Sequence, residues 1–280
     1  MLVSGGSIYV GDSAITKVYQ GEDLIWPTTP TPSEPDWLTL TIVKEGEIYF
    51  KNRISGDSGF NFYAEIEYNK NNEGWKTLNS GDSLPRFHVR SGDIVKLRAD
   101  GHRKVNSSNY SVFYEDYDDG DGIWFTVKNN FSFSDAYFNI SGNILSMEYG
   151  SGFTGQTTTS VGFGAFGYLF ERTNVVDASE LILPEYRQYF NSALEGLFYN
   201  CSTLVSAPVF SSKQIPSDYM FYKCGSLNYI KCLFYNPYGK YEYTDWLYGV
   251  APSGRFVKAA EANWKTGANG IPEGWIIINE

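Results

Sequence analysis

Phe198-Tyr199-Asn200-Cys201-Ser202-Thr203-Leu204 returns 23 positions later as Phe221-Tyr222-Lys223-Cys224-Gly225-Ser226-Leu227. Phe, Cys and Leu all keep the offset. A fixed period in the twenties marks a solenoid, in which each unit buries its apolar side against the next. Working outward, Phe170 opens an earlier unit 28 positions before Phe198. Val176-Asp177-Ala178, Val205-Ser206-Ala207 and Asn228-Tyr229-Ile230 follow the three phenylalanines at similar distances. Leu183-Pro184 and Ile215-Pro216 close two of the units. Residues 138–236 are therefore expected to hold the lead-in and the repeats. Residues 237–280, rich in Trp, Gly and Pro, are expected to cap an end that would otherwise expose apolar surface.

Upstream, residues 37–137 carry strand signals. Leu38 to Val43, Phe60 to Tyr68 and Ile94 to Arg98 alternate apolar and polar residues, the pattern of half-buried strands. Ser55-Gly56-Asp57, Ser80-Gly81-Asp82 and Ser91-Gly92-Asp93 punctuate them, which favours a β-sandwich. Residues 28–36 hold three prolines and read as a semi-rigid linker. Residues 1–27 contain a duplication with an offset of ten. Ile8-Tyr9-Val10-Gly11 is matched by Val18-Tyr19-Gln20-Gly21, and the second half ends in Ile25-Trp26. Each half reads as strand, turn, strand, with Gly11 and Gly21 at the turns. So short a segment cannot bury enough area to fold alone. It is expected to be completed by its own chain, by sister chains or by a host particle, with Ile8, Tyr9, Gly11, Tyr19, Gly21, Ile25 and Trp26 as the attachment residues.

The 280 residues are 42% hydrophobic and 17% aromatic, with a formal charge of −10. They can build real cores. The acidity and the lack of a Lys/Arg stripe argue against nucleic acid and against anionic membranes. No apolar run is long enough to span a bilayer. Met1 to Ser7 has neither the basic nor the apolar region of a secretory signal, so the chain is expected to be made in a cytoplasm and to remain there, or to leave in a particle or by lysis. Cys201, Cys224 and Cys232 are expected to be free, the first two stacked as small buried residues.

Chemistry is sparsely encoded. Glu115 to Gly122 resembles a calcium loop, but counting from Asp116 puts Gly120 and Val127 at ligand positions, so an EF-hand fails. A solvated acidic loop or a non-EF calcium site remains. His88 and His102 accompany no nucleophile motif, and Cys201 occupies a packing position. The glycines of Val161 to Gly167 lack the lysine of a phosphate loop and mark turns or tight packing. Neither catalytic residues nor a metal or cofactor is expected, although a carboxylate pair of a glycosidase leaves no sequence signature. Tyr235, Tyr238, Tyr241, Tyr243 and Trp246 cluster among polar neighbours. They are either the ligand-binding surface, for sugar rings or a protein, or the closure of the repeat stack.

Met220-Phe221-Tyr222-Lys223-Cys224-Gly225-Ser226-Leu227 and the block from Phe198 to Pro208 resemble the BspA-like leucine-rich repeat. Phe138 to Met147, Gly152-Phe153-Thr154-Gly155, Leu227 to Leu233, Gly249 to Lys258 and Gly270 to Trp275 are similar to segments flanking such repeats in proteins of gut Bacteroidales and their phages. The N-terminal motif ending in Leu24-Ile25-Trp26-Pro27 is similar to leaders of phage fibre and virion proteins, crAss-like phages included. Unit Phe170 to Val175 departs from the pattern by lacking the cysteine. The resemblance implies a non-enzymatic virion protein of head or tail fibre, with other virion proteins as partners. A trimer is the favoured oligomer, and host-surface glycan or protein the ligand. The rival readings are a bacterial cell-surface adhesin and a polysaccharide depolymerase.

Overall fold

The computed structural model describes residues 34–51, 54–57, 65–78, 84–105, 108–118, 124–132, 134–161, 164–185, 193–235, 243–267 and 269–280, together with the N-terminal strands. The protein is mainly β, with one short α-helix, Ser146–Tyr149, among the described residues. It divides into two compact units, Met1–Pro35 and Asp36–Glu280.

In the first unit, Leu2–Ser4, Ser7–Val10 and Ser13–Ile15 form a three-stranded antiparallel sheet, and Val18–Gln20 pairs with Asp23–Trp26. The strand pattern expected of the duplication is present. Gly11 and Gly21 lie outside the described residues.

The second unit is organised by a seven-stranded sheet. Its order runs Lys76–Thr77, Ile66–Lys70, Ile94–Ala99, Leu38–Lys44, Tyr137–Asn143 and Asn174–Val175, with Glu180–Ile182 also on Tyr137–Asn143. The alternation read from Leu38 onward is realised: Leu38, Leu40 and Ile42 are buried, whereas Thr41 and Val43 are exposed. The pairing corrects one expected boundary. Tyr137–Asn143 bonds antiparallel to Leu38–Lys44 on one side and parallel to Asn174–Val175 and Glu180–Ile182 on the other. One sheet thus crosses position 137/138, and the two regions share a body. Tyr114–Asp118, taken above as part of an acidic loop, is a strand that pairs with Trp124–Lys128. Residues 119–123 lie outside the described ones.

Beyond the sheet, the backbone forms four stacked tiers at residues 164–173, 193–201, 217–224 and 243–250. Phe170, Phe198 and Phe221 each donate a backbone N–H to the next tier, at Leu197, Met220 and Trp246, over 3.0, 2.9 and 2.9 Å. Inside, Phe131, Phe170, Phe198 and Phe221 stack nearly parallel at 5.6, 5.7 and 5.6 Å. Phe131 belongs to the strand-rich part, so the stack continues that core. Single-residue parallel bridges join Asp177, Ser206 and Tyr229. The column goes on as the parallel strands Tyr229–Cys232, Arg255–Lys258 and Ile276–Asn279.

The fourth tier corrects the expected cap. Residues 243–250 repeat the tier geometry, with Leu247 and Val250 in the places of Phe and Cys, and closure begins after them. The cysteines are free and buried, as their spacing predicts. Cys201 Sγ donates to the Phe170 carbonyl at 2.9 Å and Cys224 Sγ to that of Phe198 at 3.0 Å. Thr173, in the cysteine-less unit, donates to the same Phe170 carbonyl at 2.9 Å.

Candidate functional site

Each tier turns outward at a residue with positive φ, repeated four positions later. These are Gly196 and Asn200, Tyr219 and Lys223, and Asp245 and Gly249, with Tyr168 and Arg172 in the first tier. Between them two residues point inward and the next points out. Those outward residues are Tyr199, Tyr222 and Tyr248, while Glu171, at the same position of the first tier, is buried at the groove wall. Because tier is hydrogen-bonded to tier, equivalent side chains come into contact, and three tyrosines at one position become a ladder.

The rings of Tyr199 and Tyr222 stack at 4.8 Å and 11°, and those of Tyr222 and Tyr248 at 5.1 Å and 18°. Tyr168 extends the row at 5.8 Å from Tyr199, and Tyr114 of the strand-rich part extends it further at 4.9 Å from Tyr168. Glycines make the room. A Cβ on Gly196 would collide with the Tyr168 ring, and a Cβ on Gly167 would lie 2.7 Å from Tyr114. Gly164 and Gly167 thus serve tight packing, one of the uses read from the sequence.

The row borders a groove of about 400 Å³ lined by Lys128, Tyr168, Glu171, Arg172, Tyr199, Tyr219, Tyr222 and Asp245. Its two cations share one carboxylate. Lys128 Nζ lies 2.7 Å from Glu171 and 4.1 Å from the Tyr168 ring centre, and Arg172 approaches Glu171 at 3.6 Å. Tyr168 donates its hydroxyl to Glu195 at 3.2 Å. Burial, and then the Glu195 carboxylate, push its pKa well above the usual tyrosine range, so that hydroxyl stays protonated. Burial also raises Tyr219, followed by Asp218 and Asp245. The hydroxyls of Tyr199, Tyr219 and Tyr222 and the carboxylate of Asp245 have no hydrogen-bond partner among the described residues. The groove therefore presents a row of unengaged hydrogen-bonding groups with paired charges behind it.

The cluster expected at 235–246 does not form this surface. Tyr243 and Trp246 are 2% and 0% exposed. They pack on Trp264 at 5.7 and 5.3 Å and close the aromatic core below the last tier. Their faces are consumed by packing, so for these two residues the second reading, closure of the repeat stack, holds and the ligand-binding one is corrected. Tyr235 is exposed, while Tyr238 and Tyr241 lie outside the described residues. Ile8, Tyr9, Tyr19, Ile25 and Trp26 sit in the N-terminal strands. The tyrosine ladder is absent from the sequence reading, which rests on the spacing of Phe, Cys and Leu; the repeated Phe-Tyr pairs, with Leu247-Tyr248 after them, carry its signal.

No group of three or more metal-ligating side chains occurs among the described residues. Cys201 and Cys232 are buried, which pushes both thiols up to about 12, and such thiols are poor nucleophiles. No protein-family model, curated protein or solved structure matches the chain.

Proposed function

We propose that the chain is a non-enzymatic structural protein of a phage virion, a component of a head or tail fibre, which displays a binding surface for host glycan or protein. The observation that carries this reading is the division of labour between the two units. Met1–Pro35 is a set of short paired strands too small to hold a core of its own, which suits an element completed by sister chains or by other virion proteins. A trimer is the favoured assembly. Asp36–Glu280 contains the large core and the tyrosine groove. Its strand-rich part is read as a β-sandwich. Its tiers are read as a short BspA-like leucine-rich-repeat array, supported by the repeating Phe stack and the Cys201 and Cys224 positions. The protein is made in the host cytoplasm and carried on the particle, where many copies turn weak contacts into firm adhesion.

Immunogold electron microscopy of purified particles, with antibody against residues 36–280, tests the reading. Label at fixed positions on the virion is expected and separates head from tail. Bare particles with label on the bacterial envelope would make the chain a cell-surface adhesin. The depolymerase reading keeps one specific observation in its favour, since Glu171 and Asp245 line the same groove. Turnover of capsule by the purified protein, lost in Asp245→Asn, would replace adhesion by hydrolysis.

A further inference from the structure

Resting on the adhesive reading, we infer that the tyrosine row of Tyr168, Tyr199, Tyr222 and Tyr248 binds an extended, uncharged glycan by the edges of its rings. Geometry excludes the usual arrangement in which sugars lie flat on aromatic faces. Tyr222 has Tyr199 on one side and Tyr248 on the other, at 4.8 and 5.1 Å. Tyr168 is covered by Lys128 on one side and rests on Gly196 on the other. Tyr248, 51% exposed at the end of the ladder, keeps one face open. The rest of the row offers ring edges, with ring centres repeating every 4.8 to 5.8 Å, a step comparable to one sugar along an extended chain. Sugar hydroxyls both donate and accept, as phenols do, and Asp245 adds an acceptor at the same wall.

Two observations narrow the ligand class. Lys128 and Arg172 share the single carboxylate of Glu171, Lys223 Nζ lies 5.3 Å over the Tyr222 ring, and Glu195, Asp218 and Asp245 add negative charge around the row on a chain of net charge −10. The carboxylates thus outnumber the cations, and an anionic polymer meets net repulsion. Tyr and Arg also anchor protein interfaces by burying their faces, but here the Tyr199 and Tyr222 faces are covered by stacking, which leaves edges and hydroxyls in place of apolar anchors. The polar, charge-paired lining suits a neutral polyhydroxyl chain better than a folded protein.

The test is isothermal titration of the full chain against cello-, malto-, laminari- and mannohexaose, with hexagalacturonate as the anionic control. At least one neutral hexasaccharide is expected to bind and the uronate is not. Tyr199→Phe and Tyr222→Phe keep the stacked rings and remove only the hydroxyls. Each is expected to weaken binding roughly threefold to tenfold with an unchanged melting temperature. A neutral panel silent up to about 10 mM, tighter binding of hexagalacturonate, or a double Phe variant that binds like the parent would overturn the inference. So would attachment to host cells that survives periodate and is abolished by protease. Particles that carry the chain while the panel stays silent would remove the ligand assignment alone. Binding sugars without being found on particles would remove the fibre reading alone.

Discussion

Gly196 shows how one position can set the geometry of the groove. Its φ of +57° is strained for any side chain, and the space a Cβ would need is filled by the Tyr168 ring. Gly196→Ala is expected to cost about 1–3 kcal/mol and to push Tyr168 out of the row, lowering the denaturation midpoint. Gly225→Ala, where nothing lies within 4 Å, is the matched control and should stay within about 0.5 kcal/mol of the parent. The cysteines make a second prediction. Cys201, Cys224 and Cys232 are buried and their thiols raised, Cys201 and Cys232 to about 12. At pH 8 they are protonated and enclosed, so the native protein should resist iodoacetamide and alkylate three thiols only in denaturant, as read by mass spectrometry.

The tier is the repeating element, and its stability is shared with its neighbours. Phe198 is fully buried between Phe170 and Phe221, and each stacked pair adds about 0.5–1.5 kcal/mol beyond area burial. Phe198→Ala opens a cavity in the middle of the stack and should cost about 3–5 kcal/mol, measured by chemical denaturation. Phe198→Leu retains volume and should cost less. The tiers tolerate unequal connections because backbone hydrogen bonds, rather than particular side chains, join them. Equivalent phenylalanines are 28 and 23 residues apart, and Leu247 follows Phe221 by 26. This is also why the fourth tier escaped notice: Leu247 and Val250 serve its inward positions without repeating the letters of the motif.

At the level of the entire chain, the seven-stranded sheet and the phenylalanine stack both cross the position where two domains were expected to part. Residues 36–280 should accordingly unfold in one calorimetric transition, with the van't Hoff and calorimetric enthalpies equal. Two resolved transitions within that fragment would show that the strand-rich part and the tiers fold separately.

Local pattern was enough to identify a mainly β chain and the buried free thiols. Each of these rests on periodicity, composition or spacing, which act over a few residues or over one repeat. The strand signals of residues 1–27 were legible for the same reason. The candidate site was half legible: the repeated Phe-Tyr pairs held it in plain view, but nothing local says which way a ring points once tiers are stacked. Polar neighbours left Tyr243 and Trp246 open to a surface or a closing role, and the fourth tier turns them into the core. Tyr114 and Lys128 joined the tyrosine row from strands far away in the chain. Such contacts follow from the register of one element against another, which depends on how all the apolar surfaces are buried together, and only the folded arrangement decides it.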